Sequence, residues 1–207
     1  MALAIVITAL CCYFLGNHNG AISVSHMLGD DVRSHGSGNA GLTNFIRNYG
    51  ASRSLLVILI DVGKAVLACL LGGIVLESYG YGLEGRALGG LCVMVGHIFP
   101  ALQGFRGGKG ILSGWFVAWC VDWRIGLIIG IVFFASYLLT QYVSLGSVLA
   151  GLTFSVCFAV FHWGNCYVAI AGVVMGLLTV FMHRGNISRL LKGEERKTNL
   201  FAKGKKL

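Results

Sequence analysis

A lysine set among glycines is the first candidate for chemistry in this sequence. Residues 105–110 read FRGGKG, so that Gly107, Gly108 and Gly110 surround Lys109. Glycines let consecutive backbone N–H groups converge on an anion, a helix N-terminus adds positive potential, and the lysine adds a charge. We therefore predict phosphate binding here. A flexible basic turn is the alternative, because the segment lacks the full spacing of a phosphate-binding P-loop.

A second polar segment, residues 36–47, reads GSGNAGLTNFIR. It crowds small hydroxyl and amide side chains among glycines and ends on Arg47, whose guanidinium can hold a phosphate through two parallel hydrogen bonds. A polar turn that caps the next helix is the alternative. Two glycine-rich segments of this kind favour anion binding. The neutral candidates are Ser37, Asn39, Thr43 and Asn44.

A third polar segment, residues 183–197, reads HRGNISRLLKGEERK and starts where an apolar run ends. His183 and Asn186 lie within one helical turn of that run, so we expect them to contribute to a site at the membrane surface. The outer part is basic and partly amphipathic, which is typical of attachment to anionic lipid head groups. That attachment is predicted for Lys203, Lys205 and Lys206.

Two opposite charges lie inside an otherwise apolar run. Asp61 and Lys64 are three residues apart and share one face of a helix. Each charge costs about 2.5–3.5 kcal/mol to insert in lipid, so the pair is expected to face the interior of a helix bundle or a cavity. Structural pairing and support of a site both remain open. His97 is expected to make a hydrogen bond at a helix end rather than to act as a base.

Other apparent signals carry less weight. His26 and Asp31 have the spacing of a catalytic pair found in one large acyltransferase superfamily, but this spacing arises easily by chance and its surrounding pattern is missing. The seven cysteines form no C-x-x-C pair and have no metal-ligand spacing with histidine, which is typical of small buried apolar residues. No acidic cluster is suited to Mg²⁺. We expect neither a metal nor a cofactor.

The composition indicates which elements must position these residues. Of the 207 residues 56% are apolar and 12% are charged, against the roughly 25% charged that is usual in soluble domains. The mean hydropathy is +0.78. These values exclude a soluble globular protein and predict an all-α integral membrane protein, with residues 1–207 forming a single polytopic domain.

Seven apolar runs are candidate membrane spans. Three of them are short, so five or six true spans also remain compatible with the sequence. The first run is interrupted at residues 16–20 (GNHNG), where we expect non-helical backbone facing a polar cavity. A tight hairpin is expected at residues 122–124. The runs are residues 2–28, 54–76, 88–101, 111–121, 125–139, 145–161 and 166–182.

The basic residues indicate a topology. With seven spans, the three polar segments fall on one side of the membrane, which then carries thirteen basic residues, while the other side carries Arg86 and Arg124. The positive-inside rule places the basic side in the cytoplasm and the N-terminus outside. The basic tail, residues 183–207, is therefore predicted to be cytoplasmic.

Three of these segments together resemble a known family. SGNAGLTNFIR, GHIFPALQGFRGGKG and HRGNISRLLKGEERK are similar, in order and spacing, to the three motifs of the bacterial membrane glycerol-3-phosphate acyltransferases of the PlsY family. Further similarity lies in YFLGN, DVGK and YVSLGS, at residues 13–17, 61–64 and 142–147. The resemblance covers nearly the whole chain.

The resemblance implies an activity and a location. Such an enzyme moves a fatty acyl group from acyl phosphate to the 1-hydroxyl of sn-glycerol 3-phosphate, giving lysophosphatidic acid and phosphate, the first acylation of phospholipid synthesis. It implies a multi-pass protein of the bacterial inner membrane with a cytoplasmic active site. The expected partners are membrane lipids and the soluble phosphate acyltransferase that makes the donor, and no nucleic acid; the oligomeric state is left open.

The resemblance also implies roles for individual residues. Ser37, Arg47 and Lys109 would hold substrate phosphate, while His183 and Asn186 would orient the glycerol hydroxyls or the donor phosphate. Backbone donors would come from Gly107, Gly108 and Gly110, Ser144 would close the site, and Asn39, Thr43 and Asn44 would shape the acceptor pocket. The chain departs from the family pattern at Ala40, Leu42, Ala65 and Gln141, which puts the position of the first loop and one anion contact in question.

Two other classes of protein share some of these features. Seven short, broken helices with basic, glycine-rich ends would also suit a transporter or channel for an organic phosphate. Against it, all polar motifs face one side and no inverted repeat is visible. A purely structural membrane anchor would leave Arg47, Lys109, Asp61 and Lys64 without a role.

Overall fold

The computed structural model describes residues 1–198, and these form ten α-helices with no β-strand among them. The predicted all-α class is confirmed, and each of the seven predicted apolar runs is helical. The basic residues assigned to lipid head groups, Lys203, Lys205 and Lys206, lie outside the described residues. The helices are α1 (Ala2–Asn17), α2 (Gly20–Met27), α3 (Leu42–Tyr49), α4 (Ala51–Glu77), α5 (Gly82–Ile98), α6 (Ile111–Val121), α7 (Trp123–Thr140), α8 (Val143–Phe161), α9 (Cys166–Met182) and α10 (Arg184–Leu191).

The helices differ in their ability to cross a membrane. Within residues 1–198, four are long and apolar enough, and up to six spans result if the bent pairs α1–α2 and α9–α10 each count as one. Helix α6 has 11 residues and is only about 16 Å long, well short of the roughly 30 Å apolar layer. The predicted hairpin is present between α6 and α7, where the carboxylate of Asp122 accepts the backbone N–H of Arg124 at 3.0 Å.

Small residues allow the central helices α4 and α5 to pack with their backbones in contact. A Cβ atom placed on Gly85 would lie 2.1 Å from the carbonyl oxygen of Gly72, and one on Gly89 would lie 2.1 Å from that of Ala68. No side chain fits at these two positions, so the helices approach as closely as small residues permit in membrane bundles. This contact fixes α4 against α5 and therefore the buried side chains that they share.

The predicted break in the first apolar run is confirmed between α1 and α2, which are bent by 41°. Side chains of α4 form hydrogen bonds with the backbone groups at this break. The ammonium of Lys64 donates to the carbonyl oxygens of Gly16 at 3.2 Å and His18 at 2.9 Å, and the Asp61 carboxylate accepts the N–H of Gly20 at 3.1 Å. Asp61 and Lys64 lie 2.8 Å apart. The expectation that this backbone faces a polar cavity is corrected: a buried ion pair satisfies it.

The three polar segments meet at one end of the bundle. The Nε of Arg47 on α3 donates to the hydroxyl of Thr198 at 3.0 Å, and the ammonium of Lys109 donates to the side-chain oxygen of Asn186 on α10. These contacts join residues that are 151 and 77 positions apart in the chain. The predicted clustering of these segments on one side is therefore confirmed.

Candidate active site

The first loop, residues 28–41, is organised around the buried amide of Asn44. Its nitrogen donates to the carbonyl oxygens of Val32 and His35 at 3.0 Å and of Asn39 at 3.1 Å, and its oxygen accepts the N–H of Ser37 at 3.0 Å. Both amide protons are thus committed to the loop. Asn44 lines the cavity and positions this loop, which is compatible with the expectation that it shapes the acceptor pocket; direct contact with substrate stays a prediction.

A second set of contacts ties the first loop to its neighbours. The amide of Asn19 donates to the carbonyl of Ala40 at 3.0 Å, and the guanidinium of Arg33 reaches the carbonyl of Gln103 at 3.1 Å. Arg33 also holds the Asp31 carboxylate at 2.8 Å, which lowers the pKa of Asp31 to about 2. Nε2 of His26 lies 3.7 Å from the same carboxylate, but neither His26 nor Asp31 lines the cavity described below.

The second loop, residues 99–110, is pinned to the end of α5. The N–H of Gly107 donates to the carbonyl of Ile98 at 3.2 Å, and that of Gly108 donates to the carbonyl of His97 at 3.1 Å. Both amides donate within the protein in this structure, which does not support the predicted phosphate binding by them. A Cβ atom at Gly107 would lie 2.0 Å from the carbonyl oxygen of His97. Close approach accounts for that glycine, whereas Gly110, with a φ of +81°, turns the chain into α6.

Lys109 points from this loop toward the third polar segment. Burial, followed by the nearby charge of Arg189, lowers the pKa of Lys109 to about 8, and Glu195 acts in the opposite direction. Asn186, which accepts from Lys109, donates through its own amide nitrogen to the carboxylate of Glu195 at 3.0 Å. Arg189 donates to the same carboxylate at 2.8 Å. The cation is therefore desolvated and held in one direction.

His183 lies at the end of α9 and is 5% exposed. Its Nδ1 is 2.8 Å from the carbonyl oxygen of Thr179. A carbonyl can only accept, so Nδ1 carries a proton, and the Nε2 atom is left to face other partners. The ring is thereby fixed at the border between the last apolar helix and the polar segment that follows it.

The side chain of Arg47 is held by Thr198. Its guanidinium donates to the hydroxyl of Thr198 through both Nε and Nη2. Thr198 is itself fixed, because its N–H donates to the carbonyl of Gln141 at 3.1 Å and its carbonyl accepts the hydroxyl of Tyr137 at 3.0 Å. The sequence analysis missed Thr198 and Glu195, and no local pattern signals either of them.

One cavity of about 390 Å³ lies between these segments. The hydroxyl of Ser144 is buried beside it and has no hydrogen-bond partner among residues 1–198. Gly107 and Gly108 do not line the cavity, and neither does Gln141, at which the family pattern has arginine. Ten of the twelve predicted site residues do: Ser37, Asn39, Thr43, Asn44, Arg47, Lys109, Gly110, Ser144, His183 and Asn186.

Part of the cavity lining is apolar. Helices α6 and α7 supply its wall, and the indole N–H of Trp115 donates to the carbonyl of Gly126 at 2.7 Å, which fixes that ring against α7. The sequence analysis did not single out these side chains, because apolar residues are expected throughout a membrane helix. The wall includes Trp115, Phe116, Ile129, Phe133 and Phe134.

The arrangement can bind an anionic group and an alkyl chain at the same time. The lining combines two cations, the carboxylates of Asp61 and Glu195, and several hydroxyl and amide groups with aromatic and aliphatic side chains. Within residues 1–198 no group of three or more His, Cys, Asp or Glu side chains is placed to hold a metal ion. A phosphate ester or anhydride that carries a fatty chain has the shape and polarity of this cavity.

The sequence matches a family model described as glycerol-3-phosphate acyltransferase over residues 6–193. The glycerol-3-phosphate acyltransferase of Finegoldia magna is 37% identical over 196 residues, covering 94% of this chain and 96% of the relative. That of Thermoanaerobacter sp. strain X514 is 38% identical over 193 residues, covering 93% of this chain and 94% of the relative.

Two crystal structures have a similar fold. Both are of PlsY (YgiH), described as an integral membrane glycerol 3-phosphate acyltransferase. The glycerol 3-phosphate form has a TM-score of 0.82 at 29% identity and covers 94% of this chain and 96% of its own. The lysophosphatidic acid form has a TM-score of 0.80 at 28% identity, with 95% and 96% covered.

Proposed function

Because the chain belongs to the glycerol-3-phosphate acyltransferase family of membrane enzymes, we propose that it uses acyl phosphate as its acyl donor. The acyl group passes to the sn-1 hydroxyl of glycerol 3-phosphate, and the products are lysophosphatidic acid and inorganic phosphate. This is the first acylation step of phospholipid biosynthesis. Membership of the family sets aside the alternatives of a phosphate-ester transporter and a structural anchor.

The mixed polar and apolar lining of the cavity carries this proposal. Each substrate has a phosphate group, and the donor also has a long alkyl chain. Arg47 and Lys109 line the cavity together with the aromatic side chains of α6 and α7, and we infer that the cations form its polar end and the aromatic wall its apolar end. A donor bound across the cavity places its acyl phosphate bond at the border between the two ends, beside the binding site for the acceptor phosphate.

The lining residues fit separate tasks in this reaction. Arg47 and Lys109 bind phosphate oxygens, with Ser37 as a neutral donor beside them. His183 and Asn186 orient the reacting groups, since both are held by hydrogen bonds that fix their direction. The remaining lining groups complete the pocket: Asn39 and Thr43 at the acceptor, Gly110 at the start of α6, and the unpartnered hydroxyl of Ser144.

For this reaction the protein needs mainly to align the two substrates and to stabilise the negative charge that develops on the leaving phosphate. An acyl phosphate is a mixed anhydride with a good leaving group. The hydroxyl oxygen of the acceptor bonds to the acyl carbon, the bond from that carbon to the phosphate oxygen breaks, and the hydroxyl proton passes to the departing phosphate. Arg47 and Lys109 stabilise the negative charge that develops on the phosphate, and the cavity holds the two substrates together.

The proposed enzyme lies in the bacterial inner membrane with its site facing the cytoplasm and its N-terminus outside. The excess of basic residues in the three polar segments supports this orientation. A soluble phosphate acyltransferase would supply the donor from the cytoplasm, and the acyl chains of both donor and product would remain in the bilayer. Membrane lipids thus surround the enzyme, and its lipid product remains among them.

A donor comparison tests the proposed function. Purified protein in lipid–detergent micelles is incubated with radiolabelled glycerol 3-phosphate and, in separate tubes, palmitoyl phosphate, palmitoyl-CoA or palmitoyl carrier protein. Labelled lysophosphatidate should form with palmitoyl phosphate alone. Product from a thioester alone would overturn the donor assignment. Absence of product from all three, with uptake of the label into sealed vesicles, would instead support transport.

A further inference from the structure

A buried histidine lies beside the cavity and has no task in the mechanism above. His97, at the end of α5, is 4% exposed and lines the cavity together with Lys109 and Gly110. Its backbone carbonyl accepts from Gly108, so the ring is held directly behind the second loop. A buried imidazole at this position needs partners for both ring nitrogens.

The first ring nitrogen is satisfied by the ion pair in α4. The ammonium nitrogen of Lys64 lies 2.8 Å from Nδ1 of His97 and 2.8 Å from the Asp61 carboxylate. An ammonium group only donates, and its three N–H groups are shared among four acceptors: the Asp61 carboxylate, Nδ1 and the carbonyls of Gly16 and His18. The Asp61 carboxylate lies farther from Nδ1, at 3.6 Å, than the ammonium does. Nδ1 therefore accepts, and a neutral imidazole in this position carries its proton on Nε2.

The second ring nitrogen faces the meeting point of the two site loops. A Cβ atom on Gly108 would lie 2.2 Å from Nε2 of His97 and 2.9 Å from the carbonyl oxygen of Ala40. In the part of the chain that the structure describes, no acceptor lies within hydrogen-bonding distance of Nε2. Nε2 is not among the fully buried side-chain atoms that lack a partner, and His97 lines the cavity, so an oxygen of a molecule bound there can reach this N–H.

We propose that His97 is a further substrate-binding residue, whose Nε2–H donates to a phosphate oxygen of a bound substrate. Lys64 and Asp61 act as positioning residues that select this tautomer and hold the ring. The inference rests on the proposed function in its choice of ligand, since the phosphate belongs either to glycerol 3-phosphate or to the acyl phosphate donor. His97 is then a neutral donor beside the cations Arg47 and Lys109.

The tautomer can be measured without any activity. Protein with ¹⁵N-labelled histidine is studied by NMR in detergent micelles, and the signals of His97 are identified by their loss in His97→Asn. The proposal predicts a proton on Nε2 and none on Nδ1, and a shift of the Nε2 signal on addition of glycerol 3-phosphate or of a non-hydrolysable acyl phosphonate. The ligand that causes the shift identifies the phosphate. A proton on Nδ1, or no shift with either ligand, would overturn it.

Two matched substitutions give a kinetic test. The side-chain oxygen of His97→Asn can still accept from Lys64 but nothing replaces Nε2–H, whereas His97→Gln places an amide N–H near that atom. We expect His97→Asn to raise the KM of the substrate contacted by about 10- to 100-fold, with both variants unfolding at nearly the wild-type temperature, and His97→Gln to recover most of the loss. Equal activity of His97→Asn and wild type, or an equal loss in both variants with lowered unfolding temperatures, would contradict the proposal.

The two proposals fail in different ways. If the wild-type protein transfers no acyl group from acyl phosphate, the proposed donor is wrong, but the NMR titration with glycerol 3-phosphate still decides whether His97 contacts that substrate. If transfer occurs and the Nε2 signal responds to neither phosphate, the proposed function stands and the role of His97 is wrong.

Discussion

The ammonium of Lys109 donates to the side-chain oxygen of Asn186, which joins the glycine-rich second loop to helix α10. The amide nitrogen of Asn186 in turn donates to the carboxylate of Glu195, and this hydrogen bond fixes the orientation of the amide group. The third polar segment thus orients the ammonium group of Lys109. Two segments 77 residues apart in sequence are thereby joined into one unit, which we propose binds phosphate.

The lowered pKa of Lys109, about 8, predicts a pH dependence. Lysine is a cation below its pKa and neutral above it, so phosphate binding should weaken as the pH rises through 8. We expect kcat/KM for glycerol 3-phosphate, which reports the free enzyme, to fall between about pH 8 and 9. In Lys109→Arg this fall should disappear, because arginine keeps its charge there. A wild-type profile that stays level to pH 10 would contradict this origin.

Asn44 should be important for stability rather than for substrate contact. Asn44→Ala leaves the N–H of Ser37 and three loop carbonyls without their shared partner. We expect the free energy of unfolding to fall by at least about 2 kcal/mol, measured by thermal or denaturant unfolding in detergent. Asn48→Ala, on the same helix, removes an amide whose hydrogen bonds within residues 1–198 go to Asn44, and should cost less. Equal stabilities of the two variants would argue against the organising role.

Thr198 should act on catalysis through Arg47. Thr198→Val keeps the side-chain shape but removes the oxygen that accepts from the guanidinium, so Arg47 loses its fixed orientation. We expect the KM for a phosphate substrate to rise about tenfold, with Thr198→Ser restoring it. Steady-state kinetics on both variants provide the comparison. If Thr198→Ser is as impaired as Thr198→Val, the effect comes from packing and not from the hydroxyl.

Gly130 should influence which acyl chains are accepted. A Cβ atom at this position would lie 2.9 Å from the ring of Trp115, so Gly130→Ala pushes the indole into the apolar end of the cavity. We expect the ratio of kcat/KM for palmitoyl phosphate to that for octanoyl phosphate to fall by about tenfold or more. Gly63→Ala, where the added methyl group meets open space, is the control. An unchanged ratio in Gly130→Ala would show that the chain lies elsewhere.

Local patterns in the sequence predicted the helices and the polar segments but not how they meet. Long apolar runs are sufficient to identify spans, and glycines around Lys109 are sufficient to identify a loop. The start of α5 at Gly82 rather than residue 88 was missed, because Glu84 and Arg86 lower the local hydropathy. The ends of apolar runs are therefore less predictable than their centres.

Long-range contacts account for the remaining differences. Arg47 contacts Thr198 across 151 residues, and the break after α1 is satisfied by Lys64 on α4. Neither partner could be recognised from its own neighbourhood. The hydrogen bonds from the Gly107 and Gly108 amides to carbonyls at the end of α5 are likewise contacts that the local sequence does not reveal.

Loss of the two cations tests the central claim most directly. Transfer of the acyl group from palmitoyl phosphate to radiolabelled glycerol 3-phosphate is measured for Lys109→Ala and Arg47→Ala, beside the exposed neighbours Arg106→Ala and Arg53→Ala as matched controls. The account predicts at least about a 100-fold loss of kcat/KM in the first two, normal turnover in the controls, and normal membrane insertion in all four. Near-normal transfer by Lys109→Ala and Arg47→Ala would contradict it.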